Sequence, residues 1–593
     1  MTITPRGMSV QEAYRLYRDG KLLVNRRYQR KLVWTVPEKE KLIDSLLKGF
    51  PIPLILLAER PKVYEPGNYE IIDGMQRLNA IFAFVENAFS LNGEYFDIRE
   101  FARAKQLAEN SLFQPVQGEE ITYLSPKKCA DLLDYQLAVT IYPTTSEDNT
   151  TDVFGRINSS GKQLSAQERR QAGVVIPFAE MVRKIAAELR GDASKEILLL
   201  TEMPEISIES KRAVQGYGLR AEETVWCKQG ILLISQLRDS EDEEMIADIA
   251  SSILFNQPNA KSREFLDELY NFNSNEYKKL ERELILYGAD RISHEIKTTF
   301  SVLRETIEAY SNEFNSLRRV VSPGSSNPIK TAFFAIFMAF YELVVRQERS
   351  PADPKRIMQS LKNLSKDITS SAHYTKTEDR EKNINKTIGL IQKYFVKKEP
   401  PVLRHGPGLA LDFENSVRRS RIETPRYEFK QGLLRLSPKR EFDKDLIPRF
   451  IETICGIANL GPDSDGYLFI GVADRSEHAE RIKQLDQIIP VELAGRFIVG
   501  VEREVKILSS TLENYVGNLL DQIRQSQLSE PLRTQVLGKC DTVEYRGLSI
   551  VRFVIPAQTD VSSIGDKIFV REGSSTVEAK GIKVVSVSKL FRK

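Results

Sequence analysis

Cysteine and histidine are both scarce, with four of each in 593 residues. Cys129, Cys227, Cys455 and Cys540 lie far apart, so there is no Cys-x-x-Cys zinc ribbon and no disulfide framework. His294, His373, His405 and His478 are equally scattered, which argues against a His-based zinc or iron centre. Any metal must then be held by carboxylates, which points to Mg²⁺ or Mn²⁺. An excess of one charge is also lacking: 85 Lys+Arg against 82 Asp+Glu leave a formal net charge of +3. Binding to nucleic acid therefore has to come from a local patch. No long apolar run is present. The most apolar stretch, Thr331–Val345, is about 15 residues long, short of the roughly 20 needed to span a bilayer, and predicts a buried helix. The first residues have no apolar signal core. A cytoplasmic, reduced protein with no membrane partner is expected.

What is present is ordinary globular composition, 41% apolar and 28% charged, which excludes a largely disordered or collagen-like chain. At roughly 100–200 residues per domain, the length predicts three or four domains. Residues 1–170 alternate short helical and strand-like segments. Ser9-Val10-Gln11-Glu12 is a capping box, Pro37 suits a first helical turn, and Leu54–Leu57 and Tyr69–Ile72 have strand length. Residues 171–394 lose the strand signals and show helical periodicity, as in Ser262–Tyr287 and His294–Leu317. Residues 395–422 combine Pro401, Gly406, Pro407 and Gly408 and have linker composition. Residues 423–593 return to an α+β pattern, with strands near Tyr427–Phe429, Tyr467–Val472, Leu548–Ile555 and Lys567–Arg571 and a helix near Leu446–Ala458.

Two constellations carry chemistry. In the first, a strand runs into Asp73-Gly74-Met75-Gln76-Arg77 and then an amphipathic helix bearing Leu78, Ile81, Phe82 and Val85. A helix N-terminus favours anions, Gly74 permits close backbone approach, and Arg77 offers a planar fork for phosphate oxygens. Asp73 is placed either to hold a divalent cation or to cap the helix. The plainer alternative is a simple Asp-Gly turn with Arg77 as a surface ion-pair partner.

Further landmarks follow one another in order: Gln29-Arg30, Ile43-Asp44-Ser45 with Gly49 and Pro51-Ile52-Pro53, the Asp73 turn, then Asn158, Gly161 and Leu164-Ser165. Together they resemble the N-terminal domain of the GmrSD restriction endonucleases, a ParB/sulfiredoxin-like domain with an Asp-Gly-Gln-Gln-Arg motif. The resemblance implies binding and hydrolysis of a nucleoside triphosphate, GTP or ATP. It makes Asp73, Gly74, Gln76 and Arg77 the nucleotide-site candidates, with Gln29, Arg30 and Asn158 nearby. Met75 replaces the first Gln of the motif, so binding is expected to survive a slow or absent hydrolysis.

In the second constellation, residues 418–440 hold eight basic side chains and only Glu423 and Glu428 as acids, a local excess that suits a polyanion. Glu428 and Lys430 share one strand face, and Asp474 follows the apolar strand Tyr467–Val472 at its C-terminal end. Such a set serves a metal-assisted phosphodiesterase, the carboxylates holding the cation and Lys430 stabilising phosphate charge. Simple ion pairing is the alternative.

The ordered set Glu423…Glu428-Phe429-Lys430, Ile457-Ala458-Asn459, Gly466…Gly471-Val472-Ala473-Asp474 and Phe569-Val570-Arg571-Glu572-Gly573-Ser574 resembles the Schlafen AlbA-type domain. The resemblance implies that Glu423, Glu428 and Asp474 form a metal-binding triad. Leu460–Asp465 is an insertion relative to that pattern.

The resulting expectation is an α+β chain: a ParB-like N-terminal domain (1–170), an all-helical middle (171–394), a linker (395–422) and a Schlafen AlbA-like domain (423–593). Its expected role is a defence effector in which nucleotide gates cleavage of RNA, such as tRNA, or DNA, with homo-oligomerisation left open. The alternatives are a non-cleaving, nucleotide-regulated DNA-binding protein and a purely structural scaffold.

Overall fold

The computed structural model describes residues 5–26, 32–59, 68–109, 113–116, 118, 120–143, 165–171, 176–192, 197–203, 221–260, 262–369, 375–397, 407–420, 424–462 and 465–591. The predicted helix starts form for the reasons given. Ser9 Oγ accepts from the Glu12 amide at 3.1 Å to open helix Val10–Arg18, and Pro37 lies in the first turn of Val36–Leu47. A six-stranded mixed sheet follows in the order Arg6–Ser9, Gln136–Pro143, Ile55–Glu59, Tyr69–Asp73, Leu22–Asn25, Ile197–Leu199. The last strand comes from the region read as strand-free. At three residues it is too short to show a period-two pattern, and pairing with Leu23–Asn25 fixes it.

The N-terminal sheet and the helical region share one continuous apolar core running from Met8 to Phe395. The apolar stretch forms the buried helix Lys330–Tyr341, with every residue from Ala332 to Tyr341 buried, and ends in a π turn, Glu342–Arg346. The two stretches read as long helices are each divided, into Arg263–Leu269 and Asn275–Tyr287 and into Ala289–Tyr310 and Ser316–Val321. Arg190, at the end of helix Pro177–Arg190, is buried beside Asp242, with Glu243 at 3.5 Å and Asp192 at 4.0 Å.

The C-terminal region has separate cores around a four-stranded sheet in the order Tyr427–Lys430, Gly466–Ile470, Leu548–Ile555, Cys540–Tyr545. Strand Tyr427–Lys430 runs parallel to Gly466–Ile470, and helix Leu446–Ala458 packs on one face. Past Gly471, whose φ is +101°, the chain leaves this sheet and enters a three-stranded one as Val472–Ala473.

Within the stretch of linker composition, residues Pro407–Arg419 are a helix. Its Phe413 and Val417 are buried in the C-terminal core, Phe413 packing edge-on to Phe469 and Tyr545. Pro407 and Gly408 at its start, with Pro401 and Gly406 before it, give the stretch its linker composition despite the i, i+4 spacing of Phe413 and Val417. The other face meets the helical region through polar contacts. Lys297 lies 2.9 Å from Glu188 and 3.5 Å from Asp412, Arg304 lies 3.2 Å from Glu414, and Asn415 donates to the Glu188 carbonyl. A cavity of about 350 Å³ lies at this junction, lined by Arg304, Glu414, Arg418 and Tyr545 among others.

Burial alone would push the Glu414 carboxyl up, but Arg304 and Arg418 hold it down to about 2. A carboxyl held below its unfolded value of 4.5 stabilises the junction above that pH and ceases to do so as pH falls toward 2. Across that interval the loss is about 3 kcal/mol. Small-angle scattering should therefore record an expanding chain on acidification, and Glu414→Gln should be expanded already at neutral pH. An unchanged radius in both would refute the assignment.

Candidate functional site

The N-terminal turn is built by strand Tyr69–Asp73, which pairs with Ile55–Glu59 and Leu22–Asn25 and delivers Gly74 at φ +103° to the start of helix Met75–Val85. A Cβ at Gly74 would lie 3.0 Å from the Ile55 side chain, so the close approach needs glycine. Asp73 does not cap the helix. Its Oδ2 accepts from Arg77 Nη2 at 2.7 Å, and the same nitrogen donates to the Leu54 carbonyl at 3.1 Å. Gln76 Oε1 accepts from the amides of Val33 and Trp34 at 3.1 and 3.3 Å, fixing the chain that leads toward the Pro37 helix. Met75 points into the core and is 6% exposed, so it serves packing. Asp73, Gly74, Gln76 and Arg77 are thus contiguous, while Gln29, Arg30 and Asn158 lie outside the described residues.

At the other end, alternation along Tyr427–Lys430 buries Tyr427 and Phe429, which stack on Tyr467 and Phe469. Glu428 and Lys430 face the opposite side, where Glu428 Oε1 is 2.6 Å from Lys430 Nζ and Oε2 is 3.0 Å from Arg571 Nη2. Arg571 is buried and forked. It donates to the Pro425 carbonyl at 3.2 Å, to Thr576 Oγ1 at 2.9 Å and to the Tyr427 carbonyl at 3.4 Å. Its strand, Phe569–Glu572, is fixed by Asn459, whose amide donates to the carbonyls of Ser562 and Phe569 at 2.9 and 2.8 Å.

Asp474 stands just before helix Ser476–Asp486, half-exposed, with its Oδ1 3.7 Å from His478 Nδ1. Glu423 lies outside the described residues. Among the described residues, no three His, Cys, Asp or Glu side chains are grouped to hold a metal ion. Glu428 and Asp474 supply the hard oxygen donors that Mg²⁺ or Mn²⁺ prefers, and Glu428 already has both oxygens in ion pairs.

A family model described as GmrSD restriction endonuclease, N-terminal domain, matches residues 10–174, and one described as Schlafen, AlbA_2, matches residues 423–580. The chain carries a GmrSD N-terminal domain followed by a Schlafen AlbA_2 domain. No curated protein and no solved structure matches it.

Of the eight basic side chains at residues 418–440, three pair with acids outside the strip. Arg418 meets Glu414; Arg435 meets Asp443 and Asp445; and Arg440 meets Asp486 at 2.8 Å and Glu504 at 3.9 Å. A charge count within a sequence window cannot see these partners. Arg571 is the clamp on Glu428, and Ser574 lies in the turn joining Phe569–Glu572 to Ser575–Glu578.

Glu504 went unnoticed in the sequence. Fully buried, it accepts from the amides of Leu433 and Leu434 at 2.7 and 3.0 Å and from Tyr515 at 2.7 Å, anchoring the loop after Lys430. A Cβ at Gly432 would stand inside that carboxylate, which is the one local signal for it. Cys455 is a core thiol, pushed up to about 11 by burial. Among the described residues, no helix is long and apolar enough to cross a membrane.

Proposed function

We propose that this chain is a bacterial defence nuclease in which the GmrSD-type domain binds GTP or ATP and thereby gates cleavage of RNA or DNA by the AlbA_2 domain. The observation that carries the reading is the Glu428–Lys430–Arg571 cluster on the Glu-Phe-Lys strand: a carboxylate held rigidly between two cations in a domain of the Schlafen family. Glu423, Glu428 and Asp474 would hold Mg²⁺ or Mn²⁺, which when bound lowers the pKa of a water and polarises the phosphodiester. Lys430, only partly buried, is placed to meet a phosphate oxygen once substrate draws it from Glu428. Arg571 orients Glu428 and stays buried. At the other end, Arg77 and the Gly74 turn would receive nucleotide phosphates, with Asp73 releasing Arg77 to them. Gating requires nucleotide to bind two conformers unequally, and the polar junction around Glu414 is the element placed to differ between them.

The test is purified full-length chain with Mn²⁺ or Mg²⁺ and a panel of tRNA, single-stranded DNA and duplex DNA, with and without GTP and ATP. Metal-dependent cleavage is expected, reduced roughly a thousandfold or more by Glu428→Ala with affinity for the substrate retained. Salt-sensitive binding without cleavage of any substrate would overturn the nuclease reading.

A further inference from the structure

We infer that a single-stranded polynucleotide runs along a surface extending from a groove beside helix Leu446–Ala458 to the C-terminal helix Ile582–Leu590, which lies beyond the matched AlbA_2 residues. The inference rests on the AlbA_2 domain acting on nucleic acid. The groove encloses about 610 Å³ and presents Lys444, Lys567, Gln522, Gln525 and one acid, Glu452, beside Phe442, which is 43% exposed. An exposed aromatic ring beside lysines and amides suits an unpaired base and its phosphate.

The surface is continuous. Lys567 of the groove and Lys580 at the foot of the helix share Glu578, each at 3.7 Å, and Lys583 pairs with Glu572. These lysines are all more than half exposed, so their pairs are weak and phosphates can displace the carboxylates. Residues 580–593 contain Lys580, Lys583, Lys589, Arg592 and Lys593 and no acid. The helix is nine residues long, buries only Val587, and leaves Ile582, Val585 and Leu590 exposed beside its two lysines, so it has a face open to a partner. Strand Phe569–Glu572 links this surface to the candidate centre, since Phe569 lines the groove and Arg571 holds Glu428.

The experiment measures fluorescence anisotropy of labelled oligo-dT, oligo-U and a duplex against the full chain, in EDTA so that strands stay intact. Single strands should bind more tightly than duplex. The triple variant Lys567→Gln, Lys580→Gln, Lys583→Gln should lower the slope of log affinity against log salt by about 2, at roughly 0.7 per lost contact. Phe442→Ala should weaken binding by about tenfold with that slope unchanged. If wild type binds single strands and both variants match it, the inference falls and the nucleic-acid reading of the domain stands. If wild type binds no polynucleotide, both fall. Capture by phosphatidylserine vesicles in place of oligonucleotides would assign the basic helix to a lipid surface and overturn the inference.

Discussion

Replacing Arg190 by alanine is expected to destabilise the N-terminal half by about 3–5 kcal/mol, out of the 5–15 kcal/mol typical of a folded domain. Asp242 and Glu243 are fully buried and Asp192 nearly so, and Arg190 lies within ion-pair reach of all three. Arg26 also pairs with Asp192, so the loss of Arg190 weighs chiefly on Asp242 and Glu243. The double variant Arg190→Ala, Asp242→Ala should recover part of the loss, because the two charges of one pair are then removed together. Urea titration measures both. A change below about 1 kcal/mol, the size of an exposed pair, would mean that the cluster is hydrated.

Arg571→Ala should remove cleavage as thoroughly as loss of Glu428 itself, while also lowering stability by about 3–5 kcal/mol. The guanidinium holds Pro425, Tyr427, Thr576 and Glu428 together, binding the hairpin to the strand that presents the Glu-Phe-Lys residues. Arg571→Lys keeps the charge and loses the fork, so it should fold better than alanine yet leave Glu428 misdirected. The diagnostic readout is the Mn²⁺ concentration for half-maximal cleavage, which a positioning residue raises and a merely structural one leaves alone. Wild-type cleavage by Arg571→Ala would remove Arg571 from the site.

How far these features could be read from sequence depends on the range of the interactions behind them. Capping signals act within four residues, so the starts at Ser9 and Pro37 were legible. So was helix Leu446–Ala458, with its uninterrupted apolar face. The Asp73–Gly74 turn could be read because glycine marks a positive φ. The electrostatics could not. Glu428 meets Arg571 across more than a hundred residues, and Arg440 finds its acids at Asp486 and Glu504, partners that counting charges in a window does not reveal. The helix Pro407–Arg419 was hidden for a local reason: Pro401, Gly406, Pro407 and Gly408 dominate the pattern and mask the spacing of Leu409, Phe413 and Val417.

That helix has an implication for how such chains diversify. Because Phe413 and Val417 belong to the C-terminal core, a recombination breakpoint between Lys397 and Pro407 would carry the downstream unit away with its own docking piece intact. A newly acquired unit would meet Lys297, Arg304, Glu308 and the Glu188 carbonyl on the recipient. Polar positions of this kind can be matched with few adaptive substitutions.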